Sequence, residues 1–358
     1  MSRSAAPTRA LTDYDPDDLA VQFAQWGAKP SHAARLLHEF YLSGGQIDLP
    51  NLRLGKSIES HLDTDLPIRQ SRITARTRSS DGTEKLLIAF TSGGSVESVL
   101  MPAHDPCKAA GCISSQIGCA MRCDFCASTR KGLERNLTAG EIVEQFLHLR
   151  HLAHCQDRRL STLVFMGIGE PMLNLEDVIV AIRRIASPQM GHLGGRQITI
   201  STVGIVPGID QLAQADLNVH LALSLHAADD ATRSRIVPMN RRYGVAEIIA
   251  AARRYQDRTG RIVNIEYCLL KEINDSDAHA DALADLLDGF RAHVNLIPYN
   301  PIGLGISGIE YAAPGPDRIR SFHDILLRRA VVVHLREPRG PEIAAACGQL
   351  RHAHSTQT

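Results

Sequence analysis

From about Gly111 onward, short apolar runs alternate with longer amphipathic ones, and few folds accommodate that rhythm. CISSQIG, STLVFMG, RQITIST, VHLALSLH, IVNIEYCLL and HVNLIPYN read as strands, with AVVVHLR near the end; NLEDVIVAIRRIA and DSDAHADALADLLDGF read as helices among them. The first helix opens on Thr138-Ala-Gly-Glu141, a capping box, and continues as an apolar stripe of Ile142, Phe146 and Leu149. Strand and helix alternating about six times predict a parallel sheet, either doubly wound or curled into a full or partial barrel. In either form, ligand-binding residues gather beyond the C-terminal ends of the strands.

The chain before this array has a different texture. Up to about Leu66 it reads as helical: DDLAVQFAQWG has helical apolar spacing and stops at a glycine, and Ser31 is placed to cap HAARLLHEFYLSGG. From Ile73 to Leu100 the pattern is β-like, with SRITARTRSS, EKLLIAF and SVESVLM separated by turns at Asp81-Gly82 and Gly93-Gly94. The expected organisation is a helical accessory domain over residues 1–66, a β-hairpin bridge over 67–104, an α/β core over 105–350 and a short tail over 351–358.

At 358 residues, 44% hydrophobic and 22% charged, the chain has enough apolar material for a large core. No run approaches the ~18 uncharged apolar residues of a membrane span, and the N-terminus lacks the apolar centre of a secretory signal. A cytoplasmic location is therefore expected, where thiols stay reduced and clustered cysteines serve metals or catalysis. Lys plus Arg and Asp plus Glu both total 39, so net charge neither favours nor opposes nucleic acid. Arg122, Arg130, Lys131 and Arg135 form one local basic group, and Arg233, Arg235, Arg241 and Arg242 another. Each group reads as a solvated surface or as a rim for a polyanion.

Four of the eight cysteines fall in GCISSQIGCAMRCDFCASTRKG, where Cys119, Cys123 and Cys126 are spaced C-x3-C-x2-C. Structural zinc takes four protein ligands, so a zinc site here needs Cys155 or a histidine as the fourth. Iron–sulfur clusters are also held by thiolates, and a cubane held by three leaves one iron open to a further ligand. Downstream, Gly169 and Glu170 in GIGEP, Ser201, Ser224-Leu225-His226 and Asn300 each read alone as structural. Together, at successive strand ends, they point to one shared ligand. Cys155 and Cys268 read as structural, and Cys107 as a thiol able to compete in disulfide exchange.

The cysteine triplet, with Phe125 before its last member, resembles the signature of the radical S-adenosylmethionine superfamily. That resemblance implies a partial (β/α)6 barrel and a [4Fe-4S] cluster on Cys119, Cys123 and Cys126, with S-adenosylmethionine chelated at the open iron. It places Gly169, Glu170, Ser201, Ser224, Leu225, His226 and Asn300 against that cofactor. More narrowly, CISSQIGCAMRCDFCA, GLERNLTAGEI, FMGIGEPMLN, ISTVGIVPGI, LALSLHA, IVPMN, IPYNPIG and RGPEIAAACGQL resemble the adenosine methyltransferase family containing RlmN and Cfr. The likeness runs in order from about Pro16 to Leu350.

This narrower resemblance implies an RNA substrate (ribosomal RNA, transfer RNA or both), two molecules of S-adenosylmethionine per turnover, and an electron donor such as flavodoxin. It assigns Cys347 as the carrier of a methyl group and Cys112 as the thiol that resolves a protein–RNA adduct through a transient disulfide with Cys347. Glu97 in SVESVLMP becomes the proton acceptor, and the N-terminal helices a grip on RNA. Carbon 2 of adenine is the expected target; carbon 8, as in Cfr, and a non-catalytic iron–sulfur RNA-binding protein are the alternatives. Ala127-Ser-Thr-Arg-Lys-Gly-Leu133 matches neither the S-T-A-Q-Q-G-F of RlmN members nor the A-T-G-D-x-G-L of Cfr members, which leaves the carbon open.

Overall fold

The structure, a computed structural model, describes residues 9–350; the expected tail at 351–358 and the first eight residues lie outside the described residues. Helices α1 (Pro16–Gln25), α2 (His32–Leu42), α3 (Leu49–Leu52) and α4 (Lys56–Thr64) come first. The Asp15 carboxylate caps α1 by accepting from the Asp17 and Asp18 N–H groups. Ser31, expected to cap α2, does not: it already has helical dihedrals within the turn after Pro30, and its hydroxyl makes no capping bond.

Strands β1 (Ser71–Arg78), β2 (Glu84–Phe90) and β3 (Ser95–Pro102) form an antiparallel meander that joins β4 (Lys108–Cys112) edge to edge. The expected strand CISSQIG is divided. β4 starts earlier and stops at Cys112, because the Gln145 side chain takes over both the N–H and the C=O of Ser114. A small ribbon of β5 (Gln116–Gly118) and β6 (Leu133–Asn136) follows. Then come α5 (Ala139–His154), β7 (Arg159–Phe165), α6 (Leu175–Ala186), β8 (Ile198–Thr202), α7 (Val206–Gln214) and β9 (His220–Ser224). The array closes with α8 (Asp230–Ile236), α9 (Val245–Thr259), β10 (Val263–Leu269), α10 (Asp277–Leu286), β11 (Ala292–Pro298), α11 (Pro316–Arg328) and β12 (Val332–Leu335). The capping box at Thr138 and Glu141 is present on α5.

The main sheet runs β1-β2-β3-β4-β7-β8-β9-β10-β11-β12, with every pair from β4 to β12 parallel. This order never reverses, so the sheet is singly wound; a doubly wound sheet would have a switch point. The winding is that of an open (β/α) barrel. Register divides the residues of the sheet between two faces. Leu163, Ile198, Leu221, Leu223, Ile265 and Val294 belong to the aliphatic set buried against the helices. The opposite face carries Met166, Ser201, Ser224, Glu266, Cys268 and Ile297, and it lines a cavity. Among the described residues, no helix is long and apolar enough to cross a membrane.

The N-terminal helices share one apolar core with the barrel: Phe23, Leu36 and Phe40 belong to the same cluster as Leu163 and Val294. Polar bonds reinforce the seam. The buried Glu144 of α5 accepts from Thr12 Oγ1 at 3.1 Å and from Gln70 N at 2.8 Å, and Arg184 donates to the carbonyls of Thr12 and Asp13.

Candidate active site

The triplet lies on a loop that folds back on its own backbone. Gly118 has φ +74°, and a Cβ there would meet the Gly132 carbonyl at 2.0 Å, a carbonyl already accepting from Cys119 N. Only glycine fits that crossing. Cys126 N donates to Cys123 O, and the Thr129 hydroxyl donates to both carbonyls, which fixes the second turn. All three thiols line one cavity. Burial pushes Cys119 up to about 12, and it pushes Cys123 well above the ordinary thiol range, with the charges of Cys126 and Cys119 adding to it. Three thiolates this close and this dry need a cation to hold them.

Among the described residues, no three His, Cys, Asp or Glu side chains converge on one point that suits a single metal ion. Three clustered thiols have the donor chemistry of an iron–sulfur centre, and the residues present fit one.

Beneath the triplet lies Arg233, the largest fully buried side chain. Its guanidinium donates to the carbonyls of Leu225, Val203 and Ser224 and to Asn240 Oδ1. Burial lowers it to about 10, with Cys123 and Asp230 acting in the opposite direction. It ties the ends of β8 and β9 together and places a positive charge under the cysteines. Reading it as part of a basic rim is therefore corrected: the segment after Asp229 is a capped helix, and its turn carries Arg233 inward.

The GIGEP loop is stapled to the segment after β4. Ser115 N and Gln116 N both donate to Ile168 O, Ile168 N to Ser114 Oγ, and Glu170 N to Gln116 Oε1. Gly169 has φ +107°, and a Cβ there would meet Gln116 N and Ser115 Oγ at 2.8 Å. Glu170 lines the cavity, and burial raises it to about 7 although its carboxylate accepts from Val203 N and Met172 N. Ser201 and Ser224 also line it, with their hydroxyls 3.1 Å apart. His226 is held edge-on to Phe125, and its Nδ1 accepts from Cys268 N; burial lowers it to about 3, so the ring is neutral. A buried carboxylate, paired hydroxyls and an apolar wall make a site able to take a molecule with an ammonium, a ribose and a base.

Cys347 reaches the same cavity on a strap made of the residues after Gly340. The Glu342 carboxylate accepts from the hydroxyls of Ser79 and Ser80 and from Ser80 N, at the β1–β2 turn. Gly340 N donates to Asp81 Oδ2, and Lys85 Nζ to Ala344 O. At the other end Ala127 N donates to Gly348 O, Ser128 Oγ to Leu350 O, Gln349 Nε2 to Pro301 O, and Asn300 Nδ2 to Cys347 O. Cys347 is accessible from the cavity, yet surrounded densely enough that burial, followed by the Glu266 charge, raises its thiol to about 11.

Cys112 ends β4 opposite Val164 of β7 and Val99 of β3, on the same face of the sheet as Met166. Burial and then the Cys347 charge raise it to about 12. Glu97, two residues from Val99, shares that face and pairs with Lys85 Nζ at 2.8 Å. Lys85 thus bridges Glu97 to the strap.

The cavity lining includes Cys119, Cys123, Cys126, Cys347, Gly169, Glu170, Ser201, Ser224 and His226. Leu225 and Asn300 are not part of it: Leu225 is in the core, and Asn300 holds the strap. Cys112 and Glu97 lie just behind the lining. Cys107 is exposed and away from it. Cys268, read as structural, does face the cavity, and the Cys347 and Cys126 charges both act on its buried thiol. Its place two residues after Glu266 on one strand is the signal that shows this.

A family model described as the radical SAM superfamily matches residues 113–283. A probable dual-specificity RNA methyltransferase RlmN 1 of Opitutus terrae is 51% identical, over 96% of this chain and 96% of its own. A probable dual-specificity RNA methyltransferase RlmN of Rhodopirellula baltica is 40% identical over 98% and 93%. Among solved structures, a radical SAM methyltransferase from Sphaerobacter thermophilus superposes with a TM-score of 0.90 at 40% identity, covering 96% of this chain and 99% of that one.

Proposed function

The chain belongs to the RlmN family of RNA methyltransferases within the radical SAM superfamily, and on that premise we propose that it methylates carbon 2 of an adenosine through a methylated Cys347. The family implies a [4Fe-4S] cluster and S-adenosylmethionine. In this reading Cys119, Cys123 and Cys126 hold the cluster, and Gly169, Glu170, Ser201, Ser224 and His226 bind the cofactor around it. Leu225 and Asn300 contribute by holding His226 and the strap in place. When bound, cluster and cofactor together supply a 5′-deoxyadenosyl radical.

The protein's own groups do the rest. Cys347 would take a methyl group from one cofactor molecule, losing its thiol proton, and would then give a hydrogen atom of that methyl to the radical that a second molecule supplies. Once the Cys347 carbon is joined to the adenine, the adduct would give up one electron to the centre held by the triplet and its ring proton to Glu97. Lys85 Nζ, 2.8 Å from Glu97, holds that carboxylate in place on the face of the sheet that Cys112 shares. Cys112 then attacks the Cys347 sulfur: an S–S bond forms as the S–C bond breaks, the electron pair passes to carbon, and a proton completes the new methyl. With its thiol held near 12, Cys112 is protonated at rest and needs a base before that attack.

One observation carries this reading. Cys112 and Cys347, more than two hundred residues apart, are close enough for the charge of one to act on the other, beside a thiol triplet that needs neither. The organisation proposed with it is an RNA-gripping helical segment over residues 1–66, a sheet bridge over 67–104 and a catalytic core over 105–350. The substrate is ribosomal RNA, transfer RNA or both, reached in an unstacked loop and in the cytoplasm.

The deciding experiment is anaerobic turnover with reductant, methyl-labelled S-adenosylmethionine and total RNA, followed by mass spectrometry of the nucleosides. Labelled 2-methyladenosine is expected, and the RNA fraction carrying it names the substrate. Labelled 8-methyladenosine would move the chain to Cfr-like chemistry. Cofactor cleavage without methylated adenosine would leave the radical core and remove the substrate claim.

A further inference from the structure

Cys268 belongs neither to the triplet nor to the pair of Cys112 and Cys347, yet it lines the cavity that the triplet and Cys347 share. Its backbone is held on both sides. Its N–H donates to His226 Nδ1 at 3.1 Å, and its carbonyl accepts from Asn274 Nδ2 at 2.7 Å. With 7% of its surface exposed, the side chain stays at the cavity wall, on the face of β10 that carries Glu266. Packing at that position asks only for a small apolar side chain; the sulfur adds reactivity that packing does not use.

The strap delivers Cys347 to the same wall. In the β10–β11 pair Cys268 stands opposite Ile297, and Asn300, just beyond the end of β11, donates to the Cys347 carbonyl at 3.4 Å. Ile297, Tyr299 and Gly348 line the cavity along with the two cysteines. Burial pushes the Cys268 thiol up, and of the charges that add to this push the largest is that of Cys347. Cys112, on which the Cys347 charge also acts, ends β4, separated in the sheet from β10 by β7, β8 and β9. Cys347 thus meets thiols from two separate strands. Cys107, the thiol expected to compete in disulfide exchange, is exposed and away from the cavity. Cys268 occupies the place that such a competitor needs.

Resting on the function proposed above, we infer that Cys268 is a second exchange partner of Cys347, taking over the disulfide that Cys112 forms with it. The Cys268 sulfur attacks the Cys347 sulfur. The Cys268–Cys347 bond forms as the Cys112–Cys347 bond breaks, and the Cys112 sulfur leaves with the electron pair. Cys268 gives up a proton and Cys112 takes one up, so the exchange is redox-neutral. Cys112 lies behind the lining, whereas Cys268 and Cys347 both border the cavity. The exchange therefore frees Cys112 and moves the bond to where a small dithiol reaches both of its sulfurs. That dithiol closes to its cyclic disulfide, and its electrons and protons return Cys268 and Cys347 to thiols.

The test has two arms, both read by peptide mass spectrometry after blocking free thiols with N-ethylmaleimide. In the first, the Cys112→Ala chain is expressed iron-depleted so that Cys347 carries no methyl, reconstituted to the holoenzyme and oxidised with diamide. A linked Cys268–Cys347 peptide is expected, and its absence overturns the assignment. In the second, wild-type holoenzyme makes a single turnover on RNA without added thiol. The Cys112–Cys347 peptide is expected first, then its loss as the Cys268–Cys347 peptide appears; dithiothreitol removes the latter. In Cys268→Val and in Cys268→Ser the Cys112–Cys347 peptide should persist. Equal persistence in both separates exchange from packing, because valine restores the apolar fill and serine does not. Cys107→Ser should follow the wild-type course. A wild type in which Cys112–Cys347 remains the sole linkage overturns the inference. If turnover leaves Cys347 in no disulfide at all, the proposed function fails, and the diamide arm still decides whether Cys268 and Cys347 pair.

Discussion

The triplet loop and the C-terminal strap bring sulfur to the same cavity in opposite ways. Between Cys119 and Cys126 the chain turns on its own backbone, so the three thiols stay together wherever the loop goes. Cys347 has no such local frame. Its strap is tied to Ser79, Ser80, Asp81 and Lys85 at one end and to Ala127, Ser128, Asn300 and Pro301 at the other. A local turn suits a permanent ligand set. A tied strap suits a sulfur that must accept a group, deliver it and recover.

Substitution at the cysteines breaks the comparison most sharply. Cys126→Ala is expected to lose iron and all cofactor cleavage. Cys347→Ala is expected to keep its iron while RNA methylation falls by roughly 10³-fold or more, as for loss of a covalent carrier. Cys112→Ala should keep iron and the methyl on Cys347 but accumulate a protein–RNA adduct, visible as a slow band on a denaturing gel. An iron-free Cys347→Ala protein would mean that the two regions are not separable.

Next in size is Arg233→Met. It strands the buried carbonyl of Leu225 and the half-buried carbonyls of Val203 and Ser224, at a cost of about 3 kcal/mol. Thermal or denaturant unfolding checks this, and the matching expectation is that Lys85→Met leaves global stability nearly intact. Lys85→Met should instead lower methyl transfer to RNA by roughly tenfold through a misplaced Cys347, with iron content unchanged.

The smallest effect is a pH response of the strap. Bonds from Ser79, then Ser80, hold Glu342 down at about 2, below its unfolded value of 4.5. A depressed carboxyl stabilises above its unfolded pKa and loses that stabilisation as pH falls through the folded one. Protection of the amides over residues 340–350, corrected for the intrinsic exchange rate at each pH, should therefore fall as pH drops from 4.5 toward 2, and Glu342→Gln should flatten that fall.

The same division decides how much was legible in the sequence. The strands and helices of the barrel follow from local periodicity, and the triplet from spacing, since both depend on residues within a few positions of each other. The split of CISSQIG after Cys112 depends on Gln145, thirty-odd residues later, and no local pattern records it. Arg233 and the Asn300 bond to the strap are hidden for a related reason: a charged or amide side chain near a strand end looks the same whether it faces a ligand or bonds to backbone. That Cys268 faces the cavity is not visible locally, because a cysteine in an apolar strand resembles its neighbours; the two-residue step from Glu266 distinguishes the interior face.

The strap also sets an order of assembly. Cys126 and Cys347 are separated by more than two hundred residues, which at about 5–20 residues per second is roughly ten to forty seconds of synthesis. Throughout that interval the triplet exists without the segment that later adds Cys347 and Gly348 to the lining of its cavity. A nascent chain thus carries Cys119, Cys123 and Cys126 well before Cys347 exists to join them in the cavity.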